Sequence, residues 1–251
     1  MKVSAVIIAC DEEATIERCL RSLSFCSEIV VVDSGSNDRT GEIARRYCTR
    51  FEVKQWAGFS AQKNYANALA SEDWILSLDA DEEVTVELRE EIETLEAPTD
   101  GTVAFSLARR TYYGGRWVKH GGWYPNRVVR LFNRKSGQWV DVPVHEYWQA
   151  DGKVGSLETD LIHHSFISIA DQVDRNNHYS SLGTSHLAQE DTRFSLSKLI
   201  VKPIAKFLET FVWKRGFLDG LLGLIISVSA AYAVFLKWAK LWELGQGEAK
   251  K

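Results

Sequence analysis

Trp74-Ile75-Leu76-Ser77-Leu78-Asp79-Ala80-Asp81-Glu82-Glu83 is a short apolar strand that runs straight into four acids among five residues. Working outward, the same grammar recurs. Val3 to Cys10 is an apolar run of strand length that ends in Asp11-Glu12-Glu13, and Ile29 to Val32 is a β-branched run that ends in Asp33-Ser34-Gly35-Ser36. Between these lie helical patterns: Glu12 to Leu23, with Ile16, Cys19, Leu20 and Leu23 on one face, a helix starting near Asp38, and Ala61 to Ala70. Phe51 to Gln55 reads as a further strand, and Val84 to Leu95 as a charged amphipathic helix. Strand and helix in alternation predict an α/β protein with a mainly parallel sheet covered on both faces.

Beyond Pro98 the pattern changes. Val103 to Tyr113 and Val128 to Asn133 read as strands separated by a long aromatic and glycine stretch, and Ile169 to Gln189 as a polar helix. A catalytic domain over residues 1–168 and a helical region over 169–251 are therefore expected. The chain of 251 residues is 45% hydrophobic and 25% charged, ordinary values for a folded protein. A net charge of −4 argues against a nucleic-acid binder, but the average conceals an asymmetry. Leu196 to Lys251 holds nine basic and four acidic residues, so the tail is +5 and the rest −9. Cys10, Cys19, Cys26 and Cys48 form no Cys-x-x-Cys pair and read as buried hydrophobes in a reducing compartment. Met1-Lys2-Val3-Ser4 enters a strand without a signal-peptide apolar region, which predicts a cytoplasmic body.

In open α/β sheets ligands bind at the carboxyl ends of the strands. Here those ends carry Asp11, Asp33, Asp79 and Asp81 in place of the Gly-x-Gly-x-x-Gly turn that cradles a dinucleotide, which argues against a nicotinamide cofactor. Carboxylates can instead accept hydrogen bonds from a base and ribose, or hold a divalent ion that neutralises a diphosphate. Asp79 and Asp81, two apart at a strand end, point to one side and suit the second task. An isolated Asp-x-Asp would more often be a solvated acidic turn; the sister carboxylates decide otherwise.

Val6 to Glu13, Val30 to Asp38 and Leu78 to Glu82 together resemble the family 2 glycosyltransferases. Gly58-Phe59-Ser60-Ala61-Gln62-Lys63-Asn64, Gly121-Gly122-Trp123-Tyr124-Pro125, Arg130-Leu131-Phe132 and Val144-His145-Glu146 resemble that family's lipopolysaccharide-core glucosyltransferases. The resemblance implies a GT-A fold, a nucleotide-diphosphate sugar donor, Mg²⁺ or Mn²⁺, and inversion at the anomeric carbon. It implies that Asp11 and Asp33 contact the nucleoside, Asp79 the ribose or metal, and Asp81 the metal. It places His163 near metal and diphosphate, Lys63 on the departing diphosphate (or on an exposed helix face) and Glu146 as the base. Many members carry Asn at the position of Asp11 and a second Asp at that of Ser34. Trp117, Trp123, Tyr124 and Trp139 could stack on sugars or fill the core.

In the tail, Lys198, Lys202 and Lys206 recur every fourth residue opposite an apolar side, and Pro203 should kink their helix. Gly220 to Leu236 then runs without a charge between Trp213 and Trp238, short for a span. The expectation is a peripheral or re-entrant enzyme on the cytoplasmic face of the inner membrane, moving a hexose from a nucleotide sugar to a lipid-linked saccharide. A noncatalytic nucleotide-sugar-binding scaffold of the same fold is the second reading.

Overall fold

The computed structural model describes residues 1–141 and 146–248, so Val142 to His145 and the last three residues lie outside the described residues. Two compact units emerge: Met1–Arg110 with Asn126–His164, and Thr111–Pro125 with Ser165–Lys251.

The first unit is built on a mixed sheet. β1 (Val3–Ala9) lies between β2 (Glu28–Asp33) and β4 (Trp74–Asp79), parallel to both, and β3 (Arg50–Val53) extends β2 in parallel. β5 (Glu82–Val84), β6 (Thr102–Tyr113), β8 (Asn126–Asn133) and β11 (Lys153–Phe166) complete it, in the order β3-β2-β1-β4-β8-β6-β11-β5; β7 (Arg116–Trp117) belongs to the second unit, where it pairs with Tyr112 and Tyr113 at the end of β6. β9 (Gly137–Val140) and β10 (Tyr147–Ala150) form a separate antiparallel pair. β8 joins β4 antiparallel, and from there onward the sheet is no longer parallel.

Alternation along the strands divides two cores. Ala5, Ile7, Ala9, Val31, Leu76 and Leu78 face α1 (Ile16–Ser22), through Ile16, Cys19 and Leu20, together with Leu88 and Ile92 of α4 (Val86–Thr94). Val6, Val30, Val32 and Ile75 face the other way, onto Ala66 of α3 (Phe59–Leu69) and the aromatic trio Phe132, Trp139 and Trp148. Burial on both faces is why these strands read as unbroken apolar runs. α2 (Thr40–Ala44) is short; Asp38 Oδ1 accepts from the Thr40 amide at 2.9 Å at its start. Thr85 caps α4 by accepting from the Leu88 amide at 3.1 Å.

The cysteine expectation needs correcting. Only Cys19 is buried, Cys26 and Cys48 are partly buried, Cys10 is exposed, and all four are free thiols. Burial pushes the Cys26 thiol up to about 12, with a smaller push from Glu93.

The second unit contains α5 (Ile169–Gln189), α6 (Leu196–Leu208) and α7 (Gly220–Glu248). A wide helical turn over Glu209–Trp213 and a tight one over Gly216–Asp219 link the last two. Its own small core joins Tyr113, Val118 and Ile226, with Trp123, Phe166 and Leu222 against them.

Candidate active site

Parallel register brings the acids to one edge. Ala9 pairs with Asp33 across β1 and β2, and Ile8 with Asp79 across β1 and β4, so the three strands stop at one level. Asp11, just beyond, adopts φ 54°, a left-handed conformation that Asp and Asn tolerate best after glycine. Its Oδ1 accepts from the Asn37 amide at 2.7 Å, and its own amide donates to Ser36 Oγ at 2.9 Å. The buried Asp33 turns Oδ1 onto the amides of Gly35 and Ser36, both at 2.7 Å. Ser34 Oγ accepts from Gln62 Nε2 at 3.1 Å, tying this loop to α3.

Lys63 is the centre of the second half. It is 1% exposed, which rules out the solvent-facing lysine admitted by the sequence. Its Nζ donates to Glu146 Oε1 at 2.6 Å, lies 2.9 Å from Asp79 Oδ1, and sits 4.5 Å from the Trp139 ring centroid. Asp79 Oδ2 is taken by Arg130 Nη2, which also reaches Glu82 Oε1 at 2.8 Å; Arg109 Nη1 stands 3.5 Å from the same oxygen. Glu82 is fully buried and Arg130 nearly so, a pairing that a low-dielectric interior demands. Burial opposes the charge of Asp79, but Arg130 and then Lys63 outweigh it and hold its carboxyl far below the usual carboxylate range. Arg130 is raised by Asp79 and Glu82 against the opposite pull of burial.

Asp81 and His163 face each other across the turn between β4 and β5. Antiparallel pairing sets His163 beside Glu82, and His163 Nε2 comes to 3.4 Å from Asp81 Oδ2. Next to them His164 Nε2 is 2.8 Å from Glu83 Oε2. Among the described residues no group of three or more His, Cys, Asp or Glu is arranged to hold a metal alone. One carboxylate and one imidazole nevertheless fit Mg²⁺ or Mn²⁺, which fill the remaining positions with phosphate oxygens and water. Asp79 differs: both its oxygens are occupied by cations, so binding a metal would mean giving up Lys63 or Arg130.

The structure thus joins Lys63, Asp79 and Glu146 in one network, sets Asp81 with His163, and ties Asp11, just beyond β1, to the loop that follows Asp33 at the end of β2. His145 of the Glu146 motif is among the residues not described. Arg130, Glu82 and Arg109 were missed as site residues. Arg130 was legible as the one charge in the otherwise apolar stretch Val128 to Phe132. Of the aromatic candidates, Trp139 is a core residue and Trp123 packs against the second unit's core, while Trp117 meets Tyr124 edge-on at 5.4 Å.

A mixed α/β sheet with carboxylates at its parallel strand ends is the GT-A arrangement. Over 96% of this chain and 87% of the other, the fold is similar to that of the mannosyltransferase PcManGT from Pyrobaculum calidifontis, solved in complex with GDP-Man and Mn²⁺ (TM-score 0.53, 15% identity). Residues 4–149 match the family described as glycosyl transferase family 2. The chain is also 33% identical over 250 residues, 97% of its length and 93% of the relative's, to the lipopolysaccharide core biosynthesis glycosyltransferase LpsC of Rhizobium meliloti (strain 1021). It is 33% identical over 97% of its length to an uncharacterized glycosyltransferase of Rickettsia typhi (strain ATCC VR-144 / Wilmington), covering 87% of that protein. The chain belongs to glycosyl transferase family 2. It is a glycosyltransferase, and the scaffold reading is set aside.

Proposed function

We propose that this enzyme transfers a hexose, with inversion, from a nucleotide-diphosphate sugar to a lipid-linked saccharide of the lipopolysaccharide inner-core type, at the cytoplasmic face of the inner membrane. Glucose from a UDP-sugar is the donor we assign. The acceptor class is supported by the similarity to LpsC over nearly the whole of both chains. The observation that carries the chemistry is Lys63 Nζ, buried and bridging Asp79 and Glu146.

In this reading Asp11 and Asp33 receive the nucleoside and Asp79 the ribose side of the donor. Asp81 and His163 would hold Mg²⁺ or Mn²⁺, which supplies charge neutralisation for the diphosphate when bound. Lys63 holds Glu146 by Oε1, leaving Oε2 to take the proton of the attacking acceptor hydroxyl. Trp139 walls the lysine off from water.

A panel of UDP- and GDP-hexoses with Mn²⁺ and lipid-linked saccharide acceptors, read by product mass, tests the reading. One hexose added to a lipid acceptor is the expected product. Transfer only to soluble, lipid-free acceptors would overturn the acceptor class, and full activity in excess chelator would overturn the metal.

A further inference from the structure

α7 has the composition of a membrane span. Gly216–Gln246 covers 31 residues, and its most apolar 18-residue window has a mean hydropathy of 1.9 and is only 17% buried. Its bonding partners within the same unit are inconsistent with a span. From Ser229 to Lys240 one side of α7 is tied to α5. Asn176 Nδ2 donates to Ser229 Oγ at 2.7 Å, and Thr184 Oγ1 donates to the Lys237 carbonyl at 3.0 Å. Lys240 Nζ donates to Asn177 Oδ1 at 2.7 Å and to Ser180 Oγ at 2.8 Å. A Cβ on Gly183 would meet Lys237 Cδ at 2.9 Å, so the helices touch closely. α5 exposes Asp174, His178, Ser185 and Gln189 beside Val173 and Leu182. A spanning α7 would take this polar helix into hydrocarbon, where none of those groups finds water.

The start of α7 is fixed as well. Asp219 Oδ2 accepts from the amides of Lys119 at 3.1 Å and His120 at 2.8 Å, Asp219 Oδ1 lies 2.9 Å from His120 Nδ1, and the Gly121 amide donates to the Lys214 carbonyl at 2.8 Å. The turn before α7 is therefore tied to the loop between β7 and β8.

The other side of α7 is bare and apolar. Leu221, Leu224, Val228, Tyr232, Phe235 and Trp242 are exposed, and helical periodicity sets them opposite the face that bonds α5. α6 repeats the pattern every fourth residue, with Leu196, Ile200, Ile204 and Leu208 exposed and Val212 continuing the row. Tryptophans stand at both ends of the α7 stripe: Trp213, 79% exposed, and Trp242. Indole rings at the two ends, and a tail of net charge +5, match the interfacial zone of an anionic bilayer.

We propose that α7 is an in-plane, monotopic helix: its apolar stripe enters the acyl boundary of an anionic bilayer, α5 stays on the water side, and both ends of α7 remain on one side of the membrane. The proposal rests on the membrane reading above and deepens it.

The test uses the full chain expressed in a bacterial host, with Cys10→Ser removing the exposed thiol and either Leu218→Cys or Gln246→Cys marking one end of α7. Sealed right-side-out and inside-out membrane vesicles are labelled with a membrane-impermeant maleimide. Both ends should label in inside-out vesicles and neither in right-side-out ones. Labelling of the two ends in opposite orientations would overturn the in-plane helix while leaving membrane association standing. A chain found wholly in the soluble fraction, as monomer or as a dimer packed through the stripe, would overturn both, with glycosyl transfer unaffected. As a second measurement, Leu221→Ser with Val228→Ser and Phe235→Ser, all exposed positions, should weaken binding to phosphatidylglycerol vesicles at least tenfold; unchanged binding would also overturn the proposal.

Discussion

Glu146 and Lys63 show how one contact narrows a role. With Oε1 held at 2.6 Å by the lysine, only one oxygen of Glu146 is left for proton transfer. Glu146→Gln keeps an oxygen for Lys63 but cannot take a proton, so kcat should fall by about a hundredfold or more with donor affinity unchanged. Steady-state kinetics with calorimetric donor titration check this; near-normal kcat would shift the base to Asp141, whose Oδ1 accepts from the Ser60 amide at 3.3 Å. Asp81 is the complementary case. Asp81→Ala leaves His163 without its carboxylate at 3.4 Å and should abolish Mn²⁺-dependent binding of the nucleoside diphosphate, read by calorimetry with and without Mn²⁺. Metal-dependent binding that survives would move the ion elsewhere.

At the scale of elements, β8 and the β4–β5 turn are joined by Arg130. The arginine neutralises Glu82, which has no access to water, as well as Asp79. Arg130→Met leaves Glu82 with the Asp79 amide at 3.0 Å and, as its cation among the described residues, Arg109 at 3.5 Å, and should cost about 3 kcal/mol or more of unfolding free energy in urea titrations. Asp79 gives the element a pH signature. Its folded carboxyl lies well below the unfolded value of about 3.9, so its contribution is present above that pH and is lost as pH falls toward the folded value. Thermal unfolding of wild type should therefore weaken steeply below about pH 4, and Asp79→Asn should flatten that acid limb. Parallel curves for the two proteins would refute the assignment.

For the whole molecule, the basic face of α6 acts differently from a simple headgroup contact. Lys198 and Lys202 place Nζ 5.2 and 4.7 Å from the ring centroid of the buried Trp238, and Lys206 pairs with Glu209 at 3.1 Å. These lysines hold α6 to α7 as well as carrying the charge. Lys198→Glu with Lys202→Glu should lower co-sedimentation with anionic vesicles in a salt-dependent way, and should also cost about 1 kcal/mol of stability from lost cation–π contact. Binding loss without any shift in unfolding would mean that the rings contribute nothing.

The sequence by itself determined the parallel half of the sheet and its acidic edge. Those strands are buried on both faces, so their apolar runs are continuous, and the acids mark where each run stops. Composition also announced the basic, apolar tail, because charge and hydropathy need no partner to be counted. Only tertiary structure decided the rest. Lys63 reads as one more polar residue of an amphipathic helix until α3 turns it inward onto groups 16 and 83 positions away, Asp79 and Glu146. The antiparallel strands after Pro98 bring His163 to Asp81 by pairing across roughly eighty residues, which no local period records. In the same way the charge-free run from Gly220 to Leu236 left its helix between an interfacial and a re-entrant placement, and the polar helix bonded along α7 is what favours the first: solvation is decided by neighbours, and neighbours come from the fold.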